Sequence, residues 1–214
     1  MSILVIVRHG QSEWNLKNLF TGWTDVELTE LGAHEAEHAG IVLRPYHFDA
    51  AYTSVLKRAI HTLDIILHEI GEESISVYKD QALNERNYGS LQGLNKAEVG
   101  DKYGSQQLIA WRRSYTAVPP DGESLENTYQ RVIPYYQKEI EPKLKAGQNI
   151  LVVAHGNSLR ALMMYLEHIS PEDIAHVDLA TGAPRLYEFS DTLTVLKAEY
   201  IKLPADSAND ATLL

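Results

Sequence analysis

Two runs of apolar residues in the chain each end in the dipeptide His-Gly. The run that begins at Ile3 reads ILVIVRHGQS, and the run that begins at Ile150 reads ILVVAHGNS. Continuous β-branched runs bounded by polar turns are typical of strands buried on both faces, as in a parallel sheet. Ligands of open α/β sheets bind at the carboxyl ends of such strands. The pattern therefore predicts that His9 and His155 lie together at one end of a sheet.

Helical patterns and weaker strand patterns fill the rest of the chain. Weaker strands are predicted at 49–53 and 75–78, and helices at 30–44, 54–70, 106–115, 123–145 and 158–168. Two edge strands, at 185–189 and 194–203, are predicted to meet at a turn formed by Ser190 and Asp191. The alternation predicts an α/β fold. We expect a three-layer sandwich, with a mostly parallel central sheet, helices on both faces and an antiparallel edge.

All 214 residues are expected to form one domain, because 44% of them are hydrophobic and can supply one core. The segment 84–104 has few apolar residues and is predicted to form loops and short helices over the active end of the sheet. The small and polar residues from about 204 onwards are predicted to form a flexible tail or flap.

Cysteine is absent from the chain, which excludes disulfides, thiolate nucleophiles and Cys-type zinc sites and suits a reducing compartment. The first residues show no basic region, no long apolar region and no small-residue cleavage site of a signal peptide. No apolar stretch approaches the roughly 20 residues that cross a bilayer. We therefore expect a cytoplasmic protein that does not bind membranes.

The charge of the chain argues against a nucleic-acid partner, since the formal net charge is -10 and the isoelectric point is near 5.3. The basic residues are nevertheless concentrated in segments rich in Gly, Asn, Gln and Tyr. These residues are Arg8, Arg58, Arg86, Lys96, Arg112, Arg113 and Arg160. Such a distribution predicts a cationic pocket on an acidic surface, suited to a small polyanion.

The sequence Arg8-His9-Gly10 places an imidazole beside a guanidinium that can grip two phosphate oxygens. Gly10 is expected to let the backbone approach a ligand closely. Further neutral donors follow at Gln11, Ser12 and Asn15. An isolated histidine at a strand end is more often structural, but the arginine and the second His-Gly unit favour catalysis at His9.

Two other motifs resemble a zinc site and a serine nucleophile, but the support for each is weaker. Residues 34–38 read HEAEH, as in zinc proteases, but on a helix His34 and His38 lie almost opposite the face of small residues, and no third ligand is evident. Ser158 lies in GNSLR, which lacks the second glycine of a nucleophile elbow. Neither a metal site nor a serine nucleophile is predicted.

Several blocks of the sequence together resemble the phosphoglycerate mutase family of the histidine phosphatase superfamily. In chain order they read RHGQSEWN, TGWTD, LTELG, TSVLKRAIHT, NERNYGSLQGLNK, WRRSY and AHGNSLRA. The Arg-His-Gly sequence alone indicates only the broad superfamily. The blocks NYGSLQGLNK and WRRSY are narrower and point to the mutases that depend on 2,3-bisphosphoglycerate.

The resemblance implies that His9 accepts a phosphoryl group, with Arg8, Arg58 and His155 around the transferred oxygens. Glu85 matches the family's proton donor and acceptor, although it could also be a surface carboxylate paired with Arg86. The implied substrate-binding residues are Arg8, Ser12, Asn15, Thr21, Gly22, Arg58, Glu85, Arg86, Tyr88, Lys96, Arg112, Arg113, Gly156 and Asn157. Arg112 and Arg113 could alternatively form the solvated face of a helix.

The activity that the resemblance implies is interconversion of 2- and 3-phosphoglycerate in glycolysis and gluconeogenesis, primed by 2,3-bisphosphoglycerate and without a metal. A phosphatase would use the same His9 but let water attack the phosphoenzyme. A non-catalytic module that binds phosphorylated ligands would need neither His9 nor Glu85. The family often has a longer segment where this chain has only Asp121 and Gly122 between Pro120 and Glu123. A homo-oligomer is possible, and this departure leaves the number of subunits open.

Overall fold

In the computed structural model, which describes residues 1–202, the apolar runs form the centre of a six-stranded sheet. The strands are β1 (Ser2–Arg8), β2 (Ala50–Thr53), β3 (Ser76–Lys79), β4 (Ile150–Ala154), β5 (Pro184–Phe189) and β6 (Val195–Tyr200). Their order in the sheet is β3-β2-β4-β1-β5-β6. Strands β1 to β4 pair in parallel, whereas β5 is antiparallel to its neighbours β1 and β6. The predicted fold class is confirmed.

Helices cover both faces of the sheet. Helices α2 (Glu30–Leu43) and α3 (Lys57–Ile70) pack on one face, and α6 (Leu125–Tyr135) and α8 (Gly156–Glu167) pack on the other. In β1, Leu4 and Ile6 belong to the core with α6 and α8, and Val5 and Val7 belong to the core with α2 and α3. All four side chains are fully buried. Burial on both faces explains why the strand is a continuous apolar run.

The remaining helices are α1 (Glu13–Leu16), α4 (Lys96–Tyr103), α5 (Ser105–Arg113) and α7 (Glu141–Lys145). Helices α4 and α5 enclose a small separate core made of Phe20, Leu91, Val99 and Trp111. Short 3-10 turns occur at Gln81–Leu83 and Gly89–Leu91. Loops and short helices were predicted over 84–104, and the structure confirms them.

The helix predicted over 123–145 is interrupted. Helix α6 ends at Tyr135, a π-helical turn follows over Tyr136–Ile140, and α7 completes the segment. Proline lacks an N–H group and its ring clashes with the carbonyl four residues earlier. Two prolines lie in this segment, Pro134 inside α6 and Pro142 at the start of α7, and the π-helical turn lies between them. Single π-helical turns of this kind occur within α-helices.

The predicted pair of edge strands also needs a correction. Strand β5 is an interior strand, because β1 pairs with it along one side and β6 along the other, so the edges of the sheet are β3 and β6. Strand β6 ends at Tyr200, earlier than predicted. The predicted flexible tail lies outside the described residues. Among the helices of residues 1–202, none has the length and hydropathy that crossing a membrane requires.

Candidate active site

The two His-Gly units meet at the carboxyl ends of β1 and β4. These strands are parallel neighbours with Arg8 opposite Ala154, and the amide of His9 donates to the Ala154 carbonyl over 2.9 Å. The rings of His9 and His155 are both buried, with centroids 5.0 Å apart and planes inclined by 62°. The structure thus brings the two imidazoles together, as the near-repeat in the sequence predicts.

The hydrogen bonds of His9 determine which of its nitrogens can react. Nδ1 lies 2.7 Å from the Gly10 carbonyl oxygen, which can only accept, so Nδ1 carries the proton. Nε2 accepts a 3.3 Å hydrogen bond from Arg58 Nε and is therefore the unprotonated nitrogen. Burial, reinforced by the charges of Arg58 and Arg8, holds the pKa of His9 well below its ordinary value. The imidazole is consequently neutral near pH 7 and can act as a nucleophile at Nε2.

Two guanidinium groups flank His9. The terminal nitrogens of buried Arg58 donate to the carbonyls of Thr24 (2.9 Å) and Gly22 (2.7 Å). Burial lowers the pKa of Arg58 to about 10, which leaves the group charged at neutral pH. Arg8 is held by a 2.7 Å bond from Nη1 to the Leu179 carbonyl, and its Nε has no hydrogen-bond partner within residues 1–202. Both side chains are therefore anchored through the backbone and positioned to receive an anion.

Ser54 is a site residue that the sequence patterns did not single out. Its Oγ accepts from the Leu56 amide over 3.2 Å and lies 2.7 Å from Nε2 of His155. This hydrogen bond fixes the position of the His155 ring at the amino-terminal end of α8. The helix predicted from residue 54 begins instead at Lys57, which leaves Ser54 in the preceding turn. The His155 ring is thus held next to the His9 ring.

Glu85 lies beside the amino-terminal end of α8. Its Oε1 accepts from the amides of Arg86 (2.7 Å) and Asn157 (3.1 Å), which leaves Oε2 for the pocket. A Cβ atom added to Gly156 would lie 3.6 Å from Arg8 Nε and 3.7 Å from Glu85 Oε2. Glycine at this position therefore keeps the space between the guanidinium and the carboxylate open.

Most of the predicted site residues line one cavity above His9. They are Arg8, His9, Asn15, Thr21, Gly22, Arg58, Glu85, Tyr88, Lys96, Arg112, Arg113, Gly156 and Asn157. Arg160, which was predicted for the cationic pocket, also lines it, and so do three residues that were not predicted, namely Leu19, Phe20 and Asp178. Ser12, Arg86 and His155 are buried outside the lining, and Ser12 caps α1 through Asn15.

Two buried arginines hold the end of helix α5. Arg86 Nη2 donates to the carbonyl of Arg112, and Arg160 Nη2 donates to the carbonyl of Arg113, over 3.0 and 3.1 Å. Cations are favourable at the carboxyl end of a helix, where carbonyls lack helical partners. The anchored helix end presents Arg112 and Arg113 to the cavity, which contradicts the alternative of a solvated face.

The alternative pairing of Glu85 with Arg86 is also wrong. The Arg86 side chain is fully buried and its Nη2 is directed to the Tyr88 hydroxyl and the Arg112 carbonyl. Arg86 contacts the Glu85 carboxylate through its backbone amide and not through its guanidinium. The carboxylate is thus available to the cavity and not neutralised by its neighbour in sequence.

Comparison with known proteins identifies the family. Residues 4–200 match the histidine phosphatase superfamily, branch 1. The chain is 76% identical to a 2,3-bisphosphoglycerate-dependent phosphoglycerate mutase of Cytophaga hutchinsonii over the whole of both chains. The chain belongs to the phosphoglycerate mutase family of this superfamily. A mutase of the same description from Nitrobacter hamburgensis is 57% identical over 90% of this chain and 94% of the relative.

Solved structures that resemble this member of the mutase family include phosphatases. A mycobacterial glucosyl-3-phosphoglycerate phosphatase, in complex with VO3, superposes with a TM-score of 0.79 at 25% identity, covering 95% of this chain and 99% of the other. The fold alone therefore does not distinguish a mutase from a phosphatase.

The short segment over Asp121 and Gly122 forms a tight turn against Gly89 and Ser90. The Gly122 amide donates to the Pro119 carbonyl, and the Ser90 amide donates to the Pro120 carbonyl, over 3.0 and 2.9 Å. A Cβ atom on Gly89 would lie 2.1 Å from that Pro120 oxygen, so glycine is required for the contact. Because the Cytophaga relative aligns over the full length of both chains, it has no long insertion either.

The sequence predicted that Gly10 lets the backbone approach a ligand and that the histidines of HEAEH face solvent, and the structure describes both positions. A Cβ atom on Gly10 would lie 2.1 Å from the Gly32 carbonyl oxygen, so this glycine serves packing against α2 and not the approach of a ligand. His34 and His38 are exposed, as predicted, and His34 pairs with Glu37. Within residues 1–202 no group of three or more His, Cys, Asp or Glu side chains is arranged to hold a metal ion.

Proposed function

We propose that this protein interconverts 2- and 3-phosphoglycerate through a phosphohistidine at His9 that is primed by 2,3-bisphosphoglycerate. One observation carries the proposal. His9, whose Nε2 is unprotonated, lines a cavity whose lining also includes cations remote from it, among them Lys96, Arg112 and Arg113. A reacting phosphoryl group and a second anionic group of the same small molecule can therefore be held together.

The phosphoryl step uses groups already in place around His9. Nε2 attacks phosphorus, the N–P bond forms as the P–O bond of the donor breaks, and charge spreads over the phosphoryl oxygens. Arg8, Arg58 and the imidazole of His155 stabilise that charge. They are preorganised by their own hydrogen bonds, so little reorganisation is needed during the reaction. This set performs the role that a metal ion has in other phosphoryl transfers.

Glu85 is suited to the proton transfers that accompany each step. The leaving sugar-acid oxygen takes a proton from the carboxyl at Oε2. When the free hydroxyl of a bound monophosphoglycerate attacks the phosphohistidine, the O–P bond forms as the N–P bond breaks, and the hydroxyl proton passes to the same carboxyl oxygen. The amides of Arg86 and Asn157 hold Oε1 throughout. One carboxyl group thus serves both directions of a reversible reaction.

A phosphatase differs from a mutase in the group that attacks the phosphohistidine, and the structural neighbour named a phosphatase makes this the second candidate. The deciding experiment is an enolase-coupled assay with and without added 2,3-bisphosphoglycerate, in the presence and absence of EDTA. We expect strong stimulation by the bisphosphate and no effect of the chelator. Release of inorganic phosphate without 2-phosphoglycerate would identify a phosphatase. Loss of activity in EDTA that manganese or zinc restores would contradict metal-independent chemistry.

Replacing Arg112 or Arg113 by alanine is expected to cut mutase turnover by at least about tenfold, an effect of ~1.4 kcal/mol. Each change removes a cation that holds the second anionic group of the ligand while the bisphosphorylated intermediate reorients. The groups around His9 stay intact. Phosphorylation of His9 should therefore persist, and hydrolysis should rise relative to transfer. Arg44→Ala, which removes an exposed arginine paired with Glu69, is the control. Wild-type kinetics in both variants would favour the phosphatase.

The affinity for phosphoglycerate is expected to fall above about pH 8 because of Lys96. Burial, together with the charges of Arg112 and Arg8, lowers the pKa of Lys96 to about 8 in the empty cavity. A lysine is charged below its pKa, so the cation that attracts the ligand is present at pH 7 and mostly lost at pH 9. If only the charged form binds, KM rises about tenfold between these two values.

The control for this prediction is Lys96→Arg, because a guanidinium keeps its charge to higher pH. The rise in KM should move to higher pH in that variant, measured with the same assay in a buffer series of constant ionic strength. An unchanged profile in Lys96→Arg would assign the alkaline limb to another group.

The cellular setting remains a matter of prediction. We expect a cytoplasmic enzyme of glycolysis and gluconeogenesis that acts on small phosphoglycerates and has no nucleic-acid or membrane partner. Size-exclusion chromatography with light scattering would determine whether the chain forms a homo-oligomer.

A further inference from the structure

Asp178 is an acidic side chain in a cavity otherwise suited to anions. The described residues that line the cavity include two carboxylates, Glu85 and Asp178, among many cations. The proposed reaction uses Glu85 for proton transfer and has no task for Asp178. A carboxylate without a chemical role in an anion-binding cavity weakens the binding of anions unless it does something else.

The position of Asp178 is defined by its contacts. Its two carboxylate oxygens lie 3.4 and 3.5 Å from Nη1 and Nη2 of Arg113, so both terminal nitrogens face one carboxylate. The Leu179 amide donates to Asp178 Oδ1 over 3.2 Å, and the Leu179 carbonyl accepts from Arg8 Nη1 over 2.7 Å. Asp178 and Leu179 therefore contact both the guanidinium of Arg8, beside His9, and the guanidinium of Arg113, farther from His9 in the cavity.

Arg113 is thus already engaged when the cavity holds no ligand. A guanidinium binds carboxylates and phosphates most strongly through two parallel N–H donors. These are the donors that Asp178 faces, so a ligand anion that seeks the same pair must compete with the protein's own carboxylate. The Asp178 side chain is 71% exposed and that of Arg113 is 33% exposed, so water and salt moderate the pair without removing the competition.

We propose that Asp178 is a specificity-determining residue that lowers the affinity of the cavity for the bisphosphorylated species by competing for Arg113. The proposal rests on the proposed function, in which 2,3-bisphosphoglycerate is both primer and intermediate. A bisphosphorylated ligand carries more negative charge than a monophosphorylated one, so the same fixed carboxylate disfavours it more. The cavity then binds the intermediate well enough for it to reorient without becoming a trap for it.

The substitution that tests this inference is Asp178→Asn. Asparagine keeps the size of the side chain and an oxygen for the Leu179 amide, and it removes the negative charge. We expect 2,3-bisphosphoglycerate to bind about two- to fivefold more tightly, in line with the usual strength of an exposed ion pair. The change for 3-phosphoglycerate should be smaller, and both changes should shrink at high salt.

The measurement is isothermal titration of 2,3-bisphosphoglycerate and of 3-phosphoglycerate, at low and high salt, into the full chain carrying His9→Ala with and without Asp178→Asn. The first substitution prevents phosphoryl transfer during the titration. Asp101→Asn in the same background, at an exposed position of α4, removes the same charge and controls for the overall charge of the protein. Equal thermal unfolding midpoints would show that the variants are folded.

Tighter binding of the bisphosphate in Asp178→Asn, and not in Asp101→Asn, supports the proposal. Unchanged or weaker binding overturns it, and weaker binding would mean that Asp178 orients Arg113 productively. Because the titration measures binding, its result stands apart from turnover. The coupled assay on the wild-type protein alone decides whether the proposed function fails.

Discussion

Replacement of His9 by alanine is expected to abolish the phosphoenzyme and to lower mutase turnover by at least about 10⁴-fold. The reason is that the remaining groups bind and polarise the phosphoryl group but offer no nucleophile in place of Nε2. His155 cannot substitute readily, since its Nε2 is hydrogen-bonded to Ser54 and its side chain does not line the cavity.

The measurement is labelling with 32P-2,3-bisphosphoglycerate followed by acid and base treatment. A phosphoramidate is labile to acid and stable to base, so the wild-type label should disappear in acid only. His34→Ala is a matched control, because it removes an exposed histidine paired with Glu37 on α2. Label that persists in His9→Ala would move the nucleophile to another residue.

Replacement of Glu85 by glutamine is expected to lower turnover by roughly 10²- to 10⁴-fold with little change in KM. Glutamine keeps an oxygen that can accept from the amides of Arg86 and Asn157, so the loop should stay in place. Glutamine cannot give or take a proton at the position of Glu85 Oε2. The defect should therefore lie in chemistry and not in binding.

A phosphoryl donor whose leaving group needs no proton separates a loss of proton transfer from a loss of site structure. With an aryl phosphate whose phenol is acidic, such as p-nitrophenyl phosphate, phosphorylation of His9 should be much less sensitive to Glu85→Gln than with 2,3-bisphosphoglycerate. Glu172→Gln, at an exposed position, is the control. Equal losses with both donors would show that Glu85 supports the structure of the site and is not the proton carrier.

Local sequence patterns were sufficient to predict the central strands of the sheet and the end of the sheet that carries the site. A strand buried on both faces must be apolar at consecutive positions, so the runs before His9 and His155 were recognisable as central strands. Their polar ends had to emerge at the end of the sheet where ligands bind. The distribution of basic residues marked Lys96, Arg112 and Arg113 as members of a cationic pocket, and the resemblance to mutases added Glu85, which neither that distribution nor the hydrophobic pattern marks. Helix ends were less well predicted where a proline or a turn intervened, as at Pro142 and Ser54.

Only the tertiary structure decided which groups meet. Ser54 and His155 are 101 positions apart in the chain, and Glu85 and Asn157 are 72 apart, yet each pair is joined by a hydrogen bond. The contact between Asp178 and Arg113 spans 65 positions. Periodicity reports whether a residue faces the core or the solvent. The tautomer of a histidine or the partner of an arginine depends on how distant elements pack, and that information becomes available only once the helices lie against the sheet.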